Sequence, residues 1–423
     1  MPFGNYSTDP DPEHMKYLTT DQALADIPYF AKNFTRSNYS DVDLTPQGTP
    51  WVMIGRSYPG MRAVLSRKEY PETFFAAWGS SAIVEARTDF SSYFNQVYRG
   101  MIANGYGNCV KDTQAAIKYI DDQLSNHETA AAIKQKLFGP GAEINDNGDI
   151  AYFLSYIFLG FQEDGMEGYI GEFCLYLETD PYTNKVAGPG GLAPIYGIPW
   201  VVERFASWSG LIEQANSNRK TNCGGMDASQ PVSCDLSKPY NDYMALSWVW
   251  QYCTEWGYFQ SNNFGPEALS SKFLTLGFQQ DFCYRNFPTA HKAGVLPAHP
   301  RADAFNVEHG GFNMRPSNVY WSVGQWDPWR ALTPFSTEDF APKGVNITSE
   351  VPECGVETSQ DELFGYILEN ETHGKDLDMT DNEQSRHSRD LFRRALKKWL
   401  PCFKPKSSIL QPLSIPNPLI MDP

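Results

Sequence analysis

The chain has 423 residues, 41% of them hydrophobic and 14% aromatic, which is enough apolar material for a large core and excludes a disordered chain. Thirty-four basic against 50 acidic residues leave a net charge of −16, a field that repels polyanions. The one compact basic run, Arg393, Arg394, Lys397 and Lys398, reads as a solvated helix face, so nucleic acid is not an expected partner. No stretch approaches the roughly 20 uninterrupted apolar residues of a membrane helix, so a membrane is not expected either.

The segment from Thr19 to Phe34 opens on a threonine cap and carries apolar residues at helical spacing, with Pro28 expected to bend or restart it. A short apolar run, Thr49 to Gly55, fits a buried strand of a parallel sheet. Tyr58 to Glu69 reads as helix and Thr73 to Gly79 as a second buried strand, so the order predicts a right-handed crossover unit. Between about Asp89 and His309 the texture turns to long helical patterns, such as Lys111 to Leu124 and Glu128 to Leu137, broken by a Gly/Pro loop from Ala187 to Pro199. The polar loop Asn216 to Lys238, holding Cys223 and Cys234, reads as a disulfide-tied excursion. Strand character returns at Asn318 to Gly324 and at Phe364 to Glu369, an amphipathic helix spans Asn382 to Leu400, and a proline-rich tail follows. The expected fold is therefore α/β, with a core formed by residues 1–98 and 306–423 and a large, mostly helical insertion over 99–305.

Eight cysteines, Cys109, Cys174, Cys223, Cys234, Cys253, Cys283, Cys354 and Cys402, are even in number and never form a CxxC or Cys/His cluster, which argues against zinc. No metal or other cofactor is expected. N-x-S/T sequons begin at Asn5, Asn33, Asn38, Asn346 and Asn370 and suit an oxidising, secretory compartment. Met1 to Asn5 has neither a basic n-region nor an apolar h-region, so the expectation is a chain that begins inside a longer secreted or vacuolar precursor.

The turn Ile54-Gly55-Arg56-Ser57-Tyr58-Pro59-Gly60 places a serine between a buried strand and a helix, the setting of a nucleophile elbow. Small neighbours are needed there because the serine backbone is strained and the helix packs close to the sheet; Gly55 and Gly60 meet that need, while Pro59 stands where G-x-S-x-G has its last glycine. Asp327 follows the third strand and His373 follows the fourth, giving the order serine, acid, histidine. Their plain alternatives are an Asp-Pro turn and an exposed loop histidine, and among the other histidines His309 is the best rival base.

Several segments together resemble serine peptidase family 28, the family of lysosomal Pro-Xaa carboxypeptidase, dipeptidyl peptidase II and fungal prolyl endopeptidases. They are Tyr17 to Asp26, Gly55 to Gly60, Ser80-Ser81-Ala82, Cys253-Thr254-Glu255-Trp256-Gly257, Gly324 with Asp327-Pro328-Trp329, and His373 with Asp376-Leu377. The resemblance implies an α/β-hydrolase core with a helical lid inserted before the acid-bearing strand, and a monomer or homodimer that cleaves peptides after proline. It also implies Ser57 as nucleophile, His373 as general base, Asp327 as its orienting acid, the Tyr58 N–H as an oxyanion donor and Trp329 as a wall for a proline ring. Glu255 either lines the substrate channel or is a buried structural carboxylate. Three departures stand out: the family's upstream Tyr-Tyr-Gly-Glu-Ser-like segment has no counterpart, Arg56 and Pro59 replace small residues around the serine, and the stretch between Asp327 and His373 is lengthened. A catalytically silent or fragmentary homologue with a binding or structural role is the alternative reading, and a lipase or esterase a third.

Overall fold

The computed structural model describes residues 8–378 and 381–406. The Asn5 sequon, Pro2-Phe3 and the tail beyond residue 406 lie outside the described residues. The described residues form seven strands: β1 (Trp51–Arg56), β2 (Phe74–Ser80), β3 (Arg87–Asp89), β4 (Gly257–Phe259), β5 (Val319–Gly324), β6 (Asn346–Thr348) and β7 (Glu362–Leu368). Five form one parallel sheet in the order β1-β2-β5-β7-β6. β1 and β2 are joined through the helix Tyr58–Glu69, whereas the neighbours β2 and β5 are separated in sequence by the whole helical block.

Alternation along the strands divides the side chains between two faces. Ala76, Trp78, Tyr320 and Phe364 pack against Leu391, Phe392, Ala395 and Trp399 of the closing helix Glu383–Trp399. Ala77, Val319, Trp321 and Val323 belong to the larger core, which also contains Met61, Val64 and Leu65 of the helix Tyr58–Glu69. The sheet is thus covered on both faces, which is why β5 reads as an unbroken apolar run and is buried at every position.

Several expectations need correction. Pro28 does not restart its helix, which runs unbroken from Thr20 to Lys32 with Leu24, Pro28 and Ala31 buried; packing of that face outweighs the one hydrogen bond proline cannot donate. The stretch expected to be a Gly/Pro loop holds two short helices, Ala193–Tyr196 and Ile198–Ala206, each with its proline in the first turn, where a missing N–H costs nothing. The helical block also contains β4, which pairs with β3 in a separate two-stranded parallel sheet; three-residue strands are too short to leave a periodic signature. The edge strand β6 escapes the pattern for the same reason. Disulfides join Cys109–Cys174, Cys223–Cys234, Cys253–Cys283 and Cys354–Cys402, the second closing the polar excursion.

The helix Thr20–Lys32 is fastened to the insertion by Glu255. The Thr20 N–H and Oγ1–H donate to its Oε2 at 2.9 and 2.8 Å, and Trp256 Nε1–H donates to Thr20 Oγ1 at 3.1 Å. Thr20 is the first residue of its helix, so a carboxylate meets an unsatisfied N–H at the positive end of the dipole. Burial nonetheless pushes the Glu255 carboxyl above its ordinary range, the bonds from Thr20 opposing it. Thr20→Val keeps the shape but removes a donor from a buried carboxylate, and is expected to cost about 1–3 kcal/mol in urea denaturation.

Within the insertion, two carboxyls meet beside the Cys109–Cys174 disulfide. Asp112 accepts from the N–H groups of Leu192 and Ala193, while both oxygens of the neighbouring Glu178 are buried without a donor. Burial, reinforced by the charge of Asp112, pushes the Glu178 carboxyl up to about 8. An unfolded glutamate ionises near about 4.3, so between these values the folded chain holds more protons than the unfolded one. The resulting stability is complete below the lower value and is lost as pH rises through the upper. Thermal midpoints are expected to fall between about pH 5 and 8, and Glu178→Gln, which cannot ionise, should flatten that slope; an unchanged slope in the variant would count against the raised Glu178 carboxyl as its cause.

Candidate active site

Ser57 lies where β1 passes into the helix Tyr58–Glu69, with φ 62° and ψ −131°, in a region that side chains other than glycine rarely enter. Its N–H donates to the Ser80 carbonyl at 2.8 Å, tying the turn to the end of β2. The two flanking glycines are sterically required. A Cβ at Gly55 would sit 2.1 Å from the Pro59 carbonyl oxygen, and one at Gly60 would sit 2.8 Å from the Gly55 oxygen and 2.9 Å from that of Ser80. Pro59 itself occupies the first turn of the helix, where its missing N–H is not needed. Ser57 Oγ has no hydrogen-bond partner among the described residues, and neither does the N–H of Tyr58.

Asp327 follows β5 and His373 follows β7, so both arrive at the carboxyl ends of parallel strands, the edge where open α/β sheets place ligands. Asp327 is fully buried and His373 nearly so. His373 Nδ1 lies 2.9 Å from each Asp327 carboxylate oxygen, and Oδ1 also accepts the Trp329 N–H at 2.9 Å. The bond to Nδ1 fixes the ring's orientation and leaves the other ring nitrogen on the opposite side.

The loop carrying His373 is held against the serine turn. Gly374 N–H donates to Ser81 Oγ at 2.9 Å, and a Cβ at Gly374 would lie 2.4 Å from Arg56 Cγ, so this glycine provides the space that Arg56 fills. Arg56 turns its guanidinium away from the serine to pair with Glu163, at 2.7 Å, and with Asp378. Its bulk beside Ser57 therefore becomes a clasp joining the serine turn, the insertion and the histidine loop. Glu163 is held below its ordinary range: burial works against this, but bonds from Gln162 and Arg56 and the nearby His373 outweigh it. Beneath the loop, buried Asp376 accepts from Ser80 Oγ at 2.5 Å and Ser388 Oγ at 2.6 Å, linking β2 to the closing helix.

Trp329 is largely buried, packs on Phe90 and Tyr258, and lies with its ring centre 6.5 Å from that of His373. Its Nε1–H donates to Gln162 Oε1 at 2.8 Å, while the Gln162 carbonyl accepts the His373 N–H at 3.0 Å. Gln162 sits in the insertion and had no sequence signal, because its role comes from two long-range contacts. Trp329 also lines a cavity of about 220 Å³ whose rim includes Trp248, and Trp248 in turn contacts the ring of Tyr58. Two of its lining residues thus contact the candidate site: Trp248 the ring of Tyr58, and Trp329 the neighbourhood of His373.

The remaining candidates have other partners. Glu255 has its oxygens engaged by Thr20. His309 faces Asp21 and Glu69, at 3.6 and 3.9 Å, and burial lowers its pKa. Glu69 ends the helix that Ser57 begins, about 18 Å of helical rise away, so His309 does not reach the serine. Asn33, Asn38, Asn346 and Asn370 are all exposed, Asn370 three residues before His373.

The family model for serine carboxypeptidase S28 matches residues 1–350, a stretch that contains Ser57 and Asp327 and ends before His373. Among curated relatives, "Probable extracellular serine carboxypeptidase" of Arthroderma benhamiae is 26% identical over 346 residues, 75% of this chain and 45% of that protein. "Serine protease vicPb" of Bipolaris victoriae is 23% identical over 87% of this chain and 69% of its own length. "Thymus-specific serine protease" of Mus musculus is 24% identical over 75% of this chain and 60% of its own. The match to the first of these spans less than half of the relative's length. Both the family match, over most of the chain, and the α/β architecture agree with the expectation from sequence: the chain belongs to the serine carboxypeptidase S28 family.

Proposed function

We propose that this protein is a serine peptidase that hydrolyses peptide bonds after proline in short peptides, with Ser57, His373 and Asp327 as its catalytic residues. The observation that carries the proposal is the buried His373–Asp327 pair, at 2.9 Å, on a loop packed against a strained serine turn. In this reading His373 accepts the proton as Ser57 Oγ attacks the substrate carbonyl, and Asp327 holds the imidazole and stabilises its cation. The unpaired Tyr58 N–H, at the start of a helix, faces charge that develops on the carbonyl oxygen. His373 then gives its proton to the departing amine, and water attacks the acyl-enzyme by the same route in reverse. Trp329 offers the flat, apolar wall against which a proline ring would pack.

Secretion, or delivery to a vacuole or lysosome, fits the same reading. Four disulfides and four exposed sequon asparagines among the described residues suit an oxidising, glycosylating route, and the relative from Arthroderma benhamiae is named extracellular.

Hydrolysis of proline-containing reporter peptides by the full chain and by two variants tests the proposal. Asp327→Asn is expected to lower kcat by about 10⁴-fold, because the imidazole loses the carboxylate that fixes its tautomer, with little change in thermal midpoint. Ser57→Ala should abolish acyl transfer. Activity that survives Ser57→Ala would refute the assignment, and cleavage of acyl esters without cleavage of proline peptides would favour an esterase. Replacing Trp329 by Ala should raise KM for proline peptides more than for their alanine counterparts.

A further inference from the structure

The cavity lined by Trp329 is walled otherwise by residues of the insertion, most of them aromatic. Its walls include Trp329, whose ring centre lies 6.5 Å from that of His373, with Tyr258 and Trp248, and also Tyr152, Tyr156 and Tyr240. The three phenol oxygens form a triangle with edges of 3.1, 3.2 and 3.3 Å. Tyr156 donates to Asn218 Oδ1 at 3.0 Å, which leaves the hydroxyl hydrogens of Tyr152 and Tyr240 to be shared within the triangle or turned toward a guest. Burial pushes the Tyr152 and Tyr156 hydroxyls well up, so these groups are neutral donors.

Against this layer lies Arg219. It is 4% exposed, and its guanidinium sits 4.5 Å from the Tyr240 ring centre and 5.6 Å from that of Tyr152. Nε donates to the Leu236 carbonyl, Nη1 is buried without an acceptor, and no ion pair engages the side chain among the described residues. A buried cation ordinarily has a carboxylate beside it. Here the neighbouring guanidinium, Arg285, which also lies over Phe282, takes the carboxylates Asp149 and Asp281. None of the residues lining the cavity is Asp or Glu. In a chain of net charge −16 this cavity is thus bordered by an uncompensated positive charge and by phenolic donors.

We infer that the tyrosine-lined end of this cavity is a subsite for a substrate carboxylate, received by the hydroxyls of Tyr152 and Tyr240 with Arg219 supplying the compensating charge. The inference deepens the proposed peptidase reading and rests on it for the identity of the ligand as a peptide. The carboxylate belongs either to an acidic side chain or to the free C-terminus of a short peptide, and both offer the same planar pair of oxygens.

The test uses binding to the full chain carrying Ser57→Ala, so it requires no turnover and stands apart from the activity assays above. Titration calorimetry compares two pairs of N-acetylated dipeptides: Pro-Glu amide with Pro-Gln amide, and Pro-Ala acid with Pro-Ala amide. The carboxylate member of at least one pair is expected to bind about 10-fold tighter or more, as charge-assisted bonds imply. The pair that discriminates identifies the source as side chain or terminus. Adding Tyr240→Phe, which keeps the ring and removes the hydroxyl, should bring that ratio close to one. Equal binding within both pairs, or discrimination that survives both Tyr240→Phe and Arg219→Gln in folded protein, would overturn the assignment.

Discussion

The account depends on one backbone constraint, the left-handed turn that Ser57 makes between a buried strand and a helix. A parallel sheet delivers its strand ends to a single edge, and only a sharp reversal there can stand a side chain above that edge. The reversal brings backbone against backbone, so Gly55 and Gly60 cannot carry a Cβ. With the serine fixed in this way, the loops after β5 and β7 need only be drawn to the same edge. Asp327 and His373 meet there, and the bonds to Ser81 and Asp376 hold their loops in place.

The insertion acts on the site through few contacts. Gln162 holds both the Trp329 indole and the backbone of His373, and Glu163 pairs with Arg56 beside Ser57. Glu255 fastens the same insertion to the helix Thr20–Lys32. The histidine loop is therefore held by the insertion as well as by the sheet, and the cavity is lined by the insertion together with Trp329. Arg56 shows how a departure from a family pattern can be absorbed: its length reaches Asp378 and Glu163, and Gly374 leaves it the space.

Much of this was legible in the sequence, for identifiable reasons. Strands buried on both faces leave continuous apolar runs, so β1, β2, β5 and β7 could be located, and the serine turn announced itself by its place between strand and helix. The order of Ser57, Asp327 and His373 followed from that frame. What stayed hidden depends on tertiary structure. Three-residue strands carry no period, Pro28 is tolerated because of what packs on its helix, and disulfide partners are set by the fold. Gln162 and Arg219 matter through contacts with residues far away in sequence, and no local pattern marks either of them.

The most direct test of the central claim is to treat the folded chain with a fluorophosphonate and map the adduct by peptide mass spectrometry, since the reagent forms a bond only with a serine activated by a neighbouring base. The account predicts a single stoichiometric adduct on Ser57 that is lost when His373 is replaced by alanine. An adduct on another serine, or labelling of Ser57 indifferent to His373, would contradict it.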